Sequence, residues 1–174
     1  MLEPLAWDKG VLDIGCGLGA VGTTLLKRGG SKGTLVDISG DYLRAAREVA
    51  EDAGMGERTT LVQADFAVSS RSFPLADVVV LDRVVCCYPD ATTLLEKAAR
   101  HSNQALVFTY PRPLWFMPLF RAVCALGMKV MRREYRFFLH DPAVLMKAAK
   151  GSGHKYEETR TVGMWRLVTL KKVV

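Results

Sequence analysis

An apolar strand from Gly10 to Ile14 runs directly into glycines at Gly15, Gly17 and Gly19, and a helix carrying Val21, Leu25 and Leu26 opens behind them. Glycines that cluster between a strand and a helix let the backbone turn tightly and bring its amides close to a ligand. The unit predicts the first strand of a parallel sheet, because a strand followed at once by a helix must cross over to its next neighbour. The chain then repeats the pattern. Thr34 to Val36 is a second strand ending at Asp37, and Asp41 begins a helix to Ala53 with Leu43, Ala46, Val49, Ala50 and Ala53 on one side. Thr60 to Ala64 is a third strand that ends at Asp65. Asp77 to Leu81 is a nearly pure aliphatic run, as expected of a strand covered on both faces. Ala91 to Arg100 is a helix and Ala105 to Tyr110 a fifth strand.

After Tyr110 the rhythm breaks. Pro111, Pro113 and Pro118 take the chain out of the sheet, and Leu119 to Met131 predicts a mostly apolar helix. Asp141 with Pro142 behind it caps a further helix to Lys150. Tyr156 to Val162 and Trp165 to Lys171 form a hairpin across Gly163-Met164, closing the sheet antiparallel at one edge. The expectation is one α/β domain over residues 1–174: a Rossmann-like, seven-stranded, mostly parallel sheet with a C-terminal antiparallel hairpin.

The glycine loop reads two ways. Gly17, Gly19 and Gly22 form GxGxxG with Asp37 placed to bind a ribose hydroxyl, the pattern of an NAD(P)-dependent oxidoreductase. Asp13, Gly15, Gly17 and Gly19 form DxGxGxG, with an acid on the strand itself. A pyrophosphate gains nothing from that carboxylate, whereas an ammonium or sulfonium group would favour it. Downstream, Asp65 can accept from an exocyclic amine, and Phe66 supplies an aromatic ring able to stack on a purine.

Charge narrows the partner classes. The chain holds 24 Lys and Arg against 18 Asp and Glu. Arg112, Arg121, Lys129, Arg132, Arg133 and Arg136 face only Glu134 between Pro111 and His140, so this segment supplies +5 of the net +6. Trp115, Phe116, Phe120, Tyr135, Phe137 and Phe138 lie in the same stretch. A nucleic-acid surface would spread its charge over a broad face and add a stacking platform, so nucleic acid ranks last among the partners. Cys16, Cys86, Cys87 and Cys124 match neither a zinc spacing nor a disulfide framework, and no metal is expected. Reduced thiols point to the cytoplasm. The chain shows neither a signal peptide nor an apolar run of about 20 residues that would span a membrane.

The sequence Val11-Leu12-Asp13-Ile14-Gly15-Cys16-Gly17-Leu18-Gly19, the acids that end the next strands and the terminal hairpin together resemble the class I S-adenosylmethionine-dependent methyltransferases, from Val11 to Lys171. Leu81 to Asp90 and Arg133 to Phe138 are loosely similar to small bacterial relatives of magnesium-protoporphyrin O-methyltransferase. The resemblance implies S-adenosyl-L-methionine as cofactor and methyl transfer to a small-molecule acceptor, with a lean towards oxygen. It places Asp13, Gly15, Cys16, Gly17 and Gly19 around the methionine part and Asp37 on the ribose with Ile38 beside the adenine. Asp65 and the amide of Phe66 would meet the adenine, and Asp82 and Arg83 would border the methyl group. The family's helices ahead of the first strand are largely absent from the ten or so residues that precede it here, which predicts an open cofactor cleft.

Methyl transfer from an activated sulfonium needs positioning above all, and a base only for some acceptors. His140 and Tyr88 are the candidates for proton transfer, whereas His101 and His154 read as surface residues. Tyr88 and Tyr110 follow strands at the edge where ligands sit, and with Trp115 and Phe120 they form the expected acceptor lining. Residues 111–140 are expected to be a substrate-side cap. Contact with a membrane surface is the second reading of this segment, and a homodimer that buries its apolar residues is a third. A cofactor-binding domain without catalysis is the remaining alternative. Cys86-Cys87 lacks a basic neighbour in sequence and reads as packing.

Overall fold

A computed structural model describes residues 9–112, 114, 123 and 137–173. The sheet has seven strands in the order β3-β2-β1-β4-β5-β7-β6. β1 (Val11–Ile14) starts in its centre, followed by α1 (Ala20–Lys27), β2 (Gly33–Asp37) and α2 (Gly40–Asp52). β3 (Thr59–Gln63), α3 (Phe66–Ser69), β4 (Ala76–Leu81) and α4 (Ala91–His101) follow. β5 (Ser102–Pro111), α5 (Pro142–Lys150), β6 (His154–Val162) and β7 (Trp165–Lys172) complete the described elements. The expected helix over Leu119 to Met131 lies outside the described residues.

β1 to β5 pair in parallel, with Leu12 opposite both Thr34 and Val79. β7 runs antiparallel to β5, and β6 runs antiparallel to β7. The hairpin therefore reverses only one strand: β7 opposes the sheet, while β6 returns to its common direction. The order changes direction between β1 and β4. That is where an open α/β sheet leaves a crevice at the carboxyl ends of its strands.

Aliphatic residues explain why this sheet is sandwiched. Leu12, Val79, Leu81, Leu106 and Phe108 have no exposed surface and pack with Leu94, Leu95, Ala98, Leu145 and Ala149 from α4 and α5. Val11, Val78, Val80, Ala105 and Val107 face the other side with Leu25. Each buried aliphatic side chain is worth about 1.5–3 kcal/mol relative to exposure, so the packing of α4 and α5 is a main source of stability. Three of the helices, α2, α4 and α5, begin on side-chain caps from the preceding residue. Ser39 accepts from Tyr42 N, Asp90 from Thr93 N (3.0 Å) and Asp141 from Ala143 N (2.7 Å), with Pro142 behind it as the sequence predicts.

Two elements depart from expectation. α3 has no counterpart among the expected elements: Asp65 Oδ1 accepts from Ala67 N at 2.9 Å and folds the next residues into a helical turn. β5 begins three residues early, at Ser102 rather than Ala105, directly out of α4. Its polar start is satisfied from across the sheet: His154 Nε2 lies 3.1 Å from Ser102 Oγ, and Lys172 Nζ donates to Ser102 O at 3.1 Å. His154 is thus buried rather than on the surface. His101 is half-buried, with Nδ1 2.8 Å from Lys97 O and its ring edge on Phe66.

Candidate cofactor site

The strand ends at the crevice carry the sequence's candidate residues side by side. Asp13 is the third residue of β1, only 1% exposed, and its Oδ2 accepts from Gly22 N at 2.9 Å. α1 has Gly19 at its N-cap and no side-chain cap there, so Asp13 supplies the missing acceptor from the strand. Gly22 is needed for this: a Cβ there would sit 3.0 Å from Asp13 Oδ2 and 3.0 Å from Leu35 Cδ1. The third glycine of GxGxxG is a packing residue in this chain. Burial pushes the Asp13 carboxyl up to about 7, opposed by the Gly22 amide and reinforced by Asp82 and Asp37.

Asp37 ends β2 and is 8% exposed. Its Oδ2 accepts from Gly17 N at 2.9 Å and its Oδ1 from Ser39 N at 2.8 Å. It therefore ties the glycine loop to the start of α2, leaving further lone pairs on each oxygen. Beside it Ile38 is 71% exposed, an apolar side chain held open to solvent. Its carbonyl accepts from Gln63 Nε2 at 3.2 Å. Gly15 and Gly17 both have left-handed backbone, with φ of 66° and 53°. A Cβ on Gly15 would lie 2.3 Å from Val84 Cγ2, whereas one on Gly17 would meet nothing. The loop thus packs on Val84 at one glycine and faces open space at the next. Cys16 lies between them, and burial followed by Asp13 pushes its thiol up to about 12, so it stays protonated.

Asp65 caps α3 and also accepts from Tyr88 Oη, at 3.1 Å to each carboxylate oxygen. Burial, then the Asp65 hydrogen bond, pushes the Tyr88 phenol up to about 12. Tyr88 is consequently protonated at neutral pH and donates to Asp65. Phe66 is 3% exposed and packs on Phe73 with ring centroids 5.3 Å apart. Its ring belongs to the core and cannot stack on a purine, which corrects that expectation; only its backbone stands at the edge. Asp82 and Arg83 directly follow β4 and form an ion pair at 3.1 Å. Arg83 has φ 57°, unusual for a residue with a Cβ, and Thr109 holds it there. Thr109 Oγ1 accepts from Arg83 N at 2.6 Å and donates to Asp82 Oδ1 at 3.0 Å. Thr109 was not among the candidates; its only signal is a hydroxyl near the carboxyl end of an aliphatic strand.

His140 Nε2 lies 3.0 Å from Tyr88 O and the ring stacks on Phe138. A carbonyl only accepts, so Nε2 carries the proton and Nδ1 is the basic nitrogen. Tyr110 is 5% exposed and packs in the main core, so it does not offer the expected acceptor surface. Trp115 and Phe120 lie outside the described residues. Among the described residues no group of three or more His, Cys, Asp or Glu side chains could hold a metal.

Residues 11–104 match the family model described as a methyltransferase domain. The chain belongs to the methyltransferase domain family. It is an S-adenosylmethionine-dependent enzyme by that membership. Solved structures share the methyltransferase fold at low identity. One is magnesium protoporphyrin IX methyltransferase from Synechocystis PCC 6803 with bound S-adenosylhomocysteine, 19% identical at TM-score 0.74. The match covers 94% of this chain and 74% of that one. An O-methyltransferase family protein from Burkholderia thailandensis is 20% identical at TM-score 0.77, covering 94% of this chain and 51% of that one. An O-methyltransferase family 2 protein from Planctomyces limnophilus in complex with apigenin is 22% identical at TM-score 0.75, covering 98% and 53%. This chain spans about half the length of the latter two. No curated protein sequence matches it.

The methyltransferase site fits its cofactor on the chemistry of its donors. Open space at Gly17, spare acceptor capacity on Asp37 and the exposed Ile38 suit, respectively, close backbone approach, ribose hydroxyls and an adenine face. A nicotinamide dinucleotide would bring its pyrophosphate to a loop beside Asp37 and Asp82, where like charges repel.

Proposed function

We propose that this chain transfers the methyl group of S-adenosylmethionine to a small-molecule acceptor, preferentially to an oxygen. The observation that carries the reading is the row of acids Asp37, Asp65 and Asp82 at the carboxyl ends of β2 to β4, which favours a cationic ligand over a phosphorylated one. Asp13, Gly15, Cys16, Gly17 and Gly19 would surround the methionine part, and Asp37 would accept from the ribose hydroxyls. Ile38 would cover the adenine, with Asp65 accepting from its amine beside the backbone of Phe66. The bound cofactor supplies an activated methyl group. The chain's own residues then bind the acceptor, exclude water and place the attacking atom in line.

The acceptor would enter over Asp82, Arg83 and Tyr88. Residues 111–140 leave β5 at Pro111, where Arg112 N donates to Met164 O at 2.8 Å, and return at Phe138, whose N donates to Cys86 O at 2.7 Å. Both described ends favour a cap on the acceptor side, with Trp115 and Phe120 as its apolar contacts. His140 would take a proton at Nδ1 from a hydroxyl acceptor. Contact with an anionic membrane surface through the same basic segment is the second reading. No helix among the described residues is long and apolar enough to cross a membrane.

The test is methyl transfer from labelled S-adenosylmethionine to matched phenol, carboxylate and amine acceptors. Label on the phenol or carboxylate above the amine is expected. Label confined to the amine would overturn the preference for oxygen.

A further inference from the structure

Adjacent side chains on an extended backbone point to opposite faces, so neighbouring cysteines normally hold their sulfurs apart. Cys86 and Cys87 do not. They lie in a turn closed by Cys87 N donating to Val84 O at 2.8 Å, and their sulfurs are 3.6 Å apart. Both thiols also address Arg83 O, at 3.5 Å from Cys86 and 3.4 Å from Cys87. Cys86 is buried and Cys87 half-buried, so one sulfur is reachable from solvent and the other waits behind it.

The turn that holds them touches the cofactor site on both sides. Val84 presses against Gly15, where an added Cβ would lie 2.3 Å from its Cγ2. Tyr88 donates to both oxygens of Asp65. Between these contacts Arg83 keeps its left-handed backbone. Cys86 O accepts from Phe138 N, which joins the same turn to the residues returning from the 111–140 segment.

We propose that Cys86 and Cys87 form a reversible modification site: a small disulfide oxidant closes them into a disulfide, and closure weakens cofactor binding. This rests on the cofactor reading above. The thiolate of Cys87 attacks one sulfur of oxidised glutathione, forming a mixed disulfide and releasing one glutathione thiolate. Cys86 then attacks the Cys87 sulfur. Its proton and the bonding pair pass to the second glutathione, which leaves as a thiol. Two cysteine thiols are thereby oxidised and one glutathione disulfide is reduced to two thiols. Burial behind the more accessible Cys87 casts Cys86 as the resolving sulfur. The hydrogen bond with Cys87, then burial, hold its thiol above its ordinary range, so that it does not attack first.

A disulfide requires sulfurs about 2.05 Å apart, so closure must draw them together and away from Arg83 O. Adjacent Cα atoms across a trans peptide are about 3.8 Å apart, below the usual disulfide span of roughly 4.4–6.8 Å, so the turn itself must deform. Val84 and Tyr88 flank it and move with it, disturbing the glycine loop and Asp65 together. Strain of this kind also makes a disulfide easily reduced, which suits reversal.

The experiment incubates the whole protein with excess oxidised glutathione, maps the cysteines by peptide mass spectrometry, and titrates S-adenosylhomocysteine before oxidation, after it and after dithiothreitol. The expected result is a Cys86–Cys87 link with a loss of two hydrogens, an affinity at least about tenfold lower, and recovery on reduction. Cys87→Ser should bind as the reduced protein does and ignore the oxidant. Absence of the link, or a link that leaves affinity unchanged, overturns the proposal. Reduced protein that fails to bind S-adenosylhomocysteine at all would instead overturn the cofactor reading and, with it, closure as a control of that site, while the mapping still reports whether the thiols pair.

Discussion

Gly15 and Gly17 share a left-handed backbone but not their surroundings, and the difference separates folding from binding. Alanine at either position carries a strain of about 1–2 kcal/mol. Gly15→Ala must also displace Val84, so it should lose clearly more stability than Gly17→Ala in urea denaturation, and adding Val84→Ala should restore part of the loss. Gly17→Ala should keep most of its stability yet lose affinity for S-adenosylhomocysteine, because its methyl group fills the open side of the loop. Equal stability losses would show that the Val84 contact is unimportant. Asp13 gives a second residue-level test. Its carboxyl titrates near 7 in the fold, above its ordinary value of 3.8. Folded protein therefore holds a proton that unfolded protein releases, and stability present at low pH is lost as pH rises from about 4 to 7. Asp13→Asn keeps an acceptor for Gly22 N and removes that titration. Relative to the parent it should gain up to about 1.4 kcal/mol per pH unit across this window and stay level above it. Parallel stability profiles would contradict the buried charge.

At the scale of elements, the strands were legible where the chemistry is local. The aliphatic run of β4, the Asp141-Pro142 start of α5 and the two-residue hairpin connection all stand in the sequence much as they fold. The amino end of β5 was not legible. Ser102 looks like a loop residue until His154 and Lys172 arrive from strands 52 and 70 positions later. The site divides the same way. The glycines and the acids ending β2, β3 and β4 announce themselves by spacing, whereas capping by Asp13, the buried ring of Phe66 and the Thr109 clamp depend on neighbours distant in sequence. His154 yields a test of the hairpin. Burial, then Lys172, lowers its imidazole below the ordinary 6.5, and its Nδ1 has no hydrogen-bond partner among the described residues. Unfolded protein takes up a proton first as pH falls, so stability from this group is complete above about 6.5 and declines towards the lowered folded value. His154→Gln should flatten that decline below pH 6.5 in thermal unfolding, measured in an Asp13→Asn background to remove the opposing slope. An unchanged slope would remove His154 as its origin.

For the whole molecule, the distribution of charge matters more than its sum. Residues 111–140 carry +5 of the net +6, while the carboxyl edge of the sheet gathers Asp13, Asp37, Asp65 and Asp82. The proposed basic cap beside the acidic cofactor cleft would assign the two charges to two ligands: an anionic acceptor or surface to the cap, and a sulfonium to the cleft. Reversing Arg132 and Arg133 to Glu should weaken binding to anionic vesicles or turnover of anionic acceptors, with an effect that shrinks as salt rises, and should spare S-adenosylhomocysteine affinity. Loss of cofactor affinity in that variant would tie the segment to the cofactor instead. The central claim is the sulfonium cofactor itself, and calorimetric titration of the reduced protein with S-adenosylhomocysteine and NADH in parallel tests it most directly. The account predicts saturable binding of S-adenosylhomocysteine, with about 2.7 kcal/mol of added stability at a hundred times its dissociation constant, and no response to NADH. Binding of NADH without binding of S-adenosylhomocysteine would contradict it.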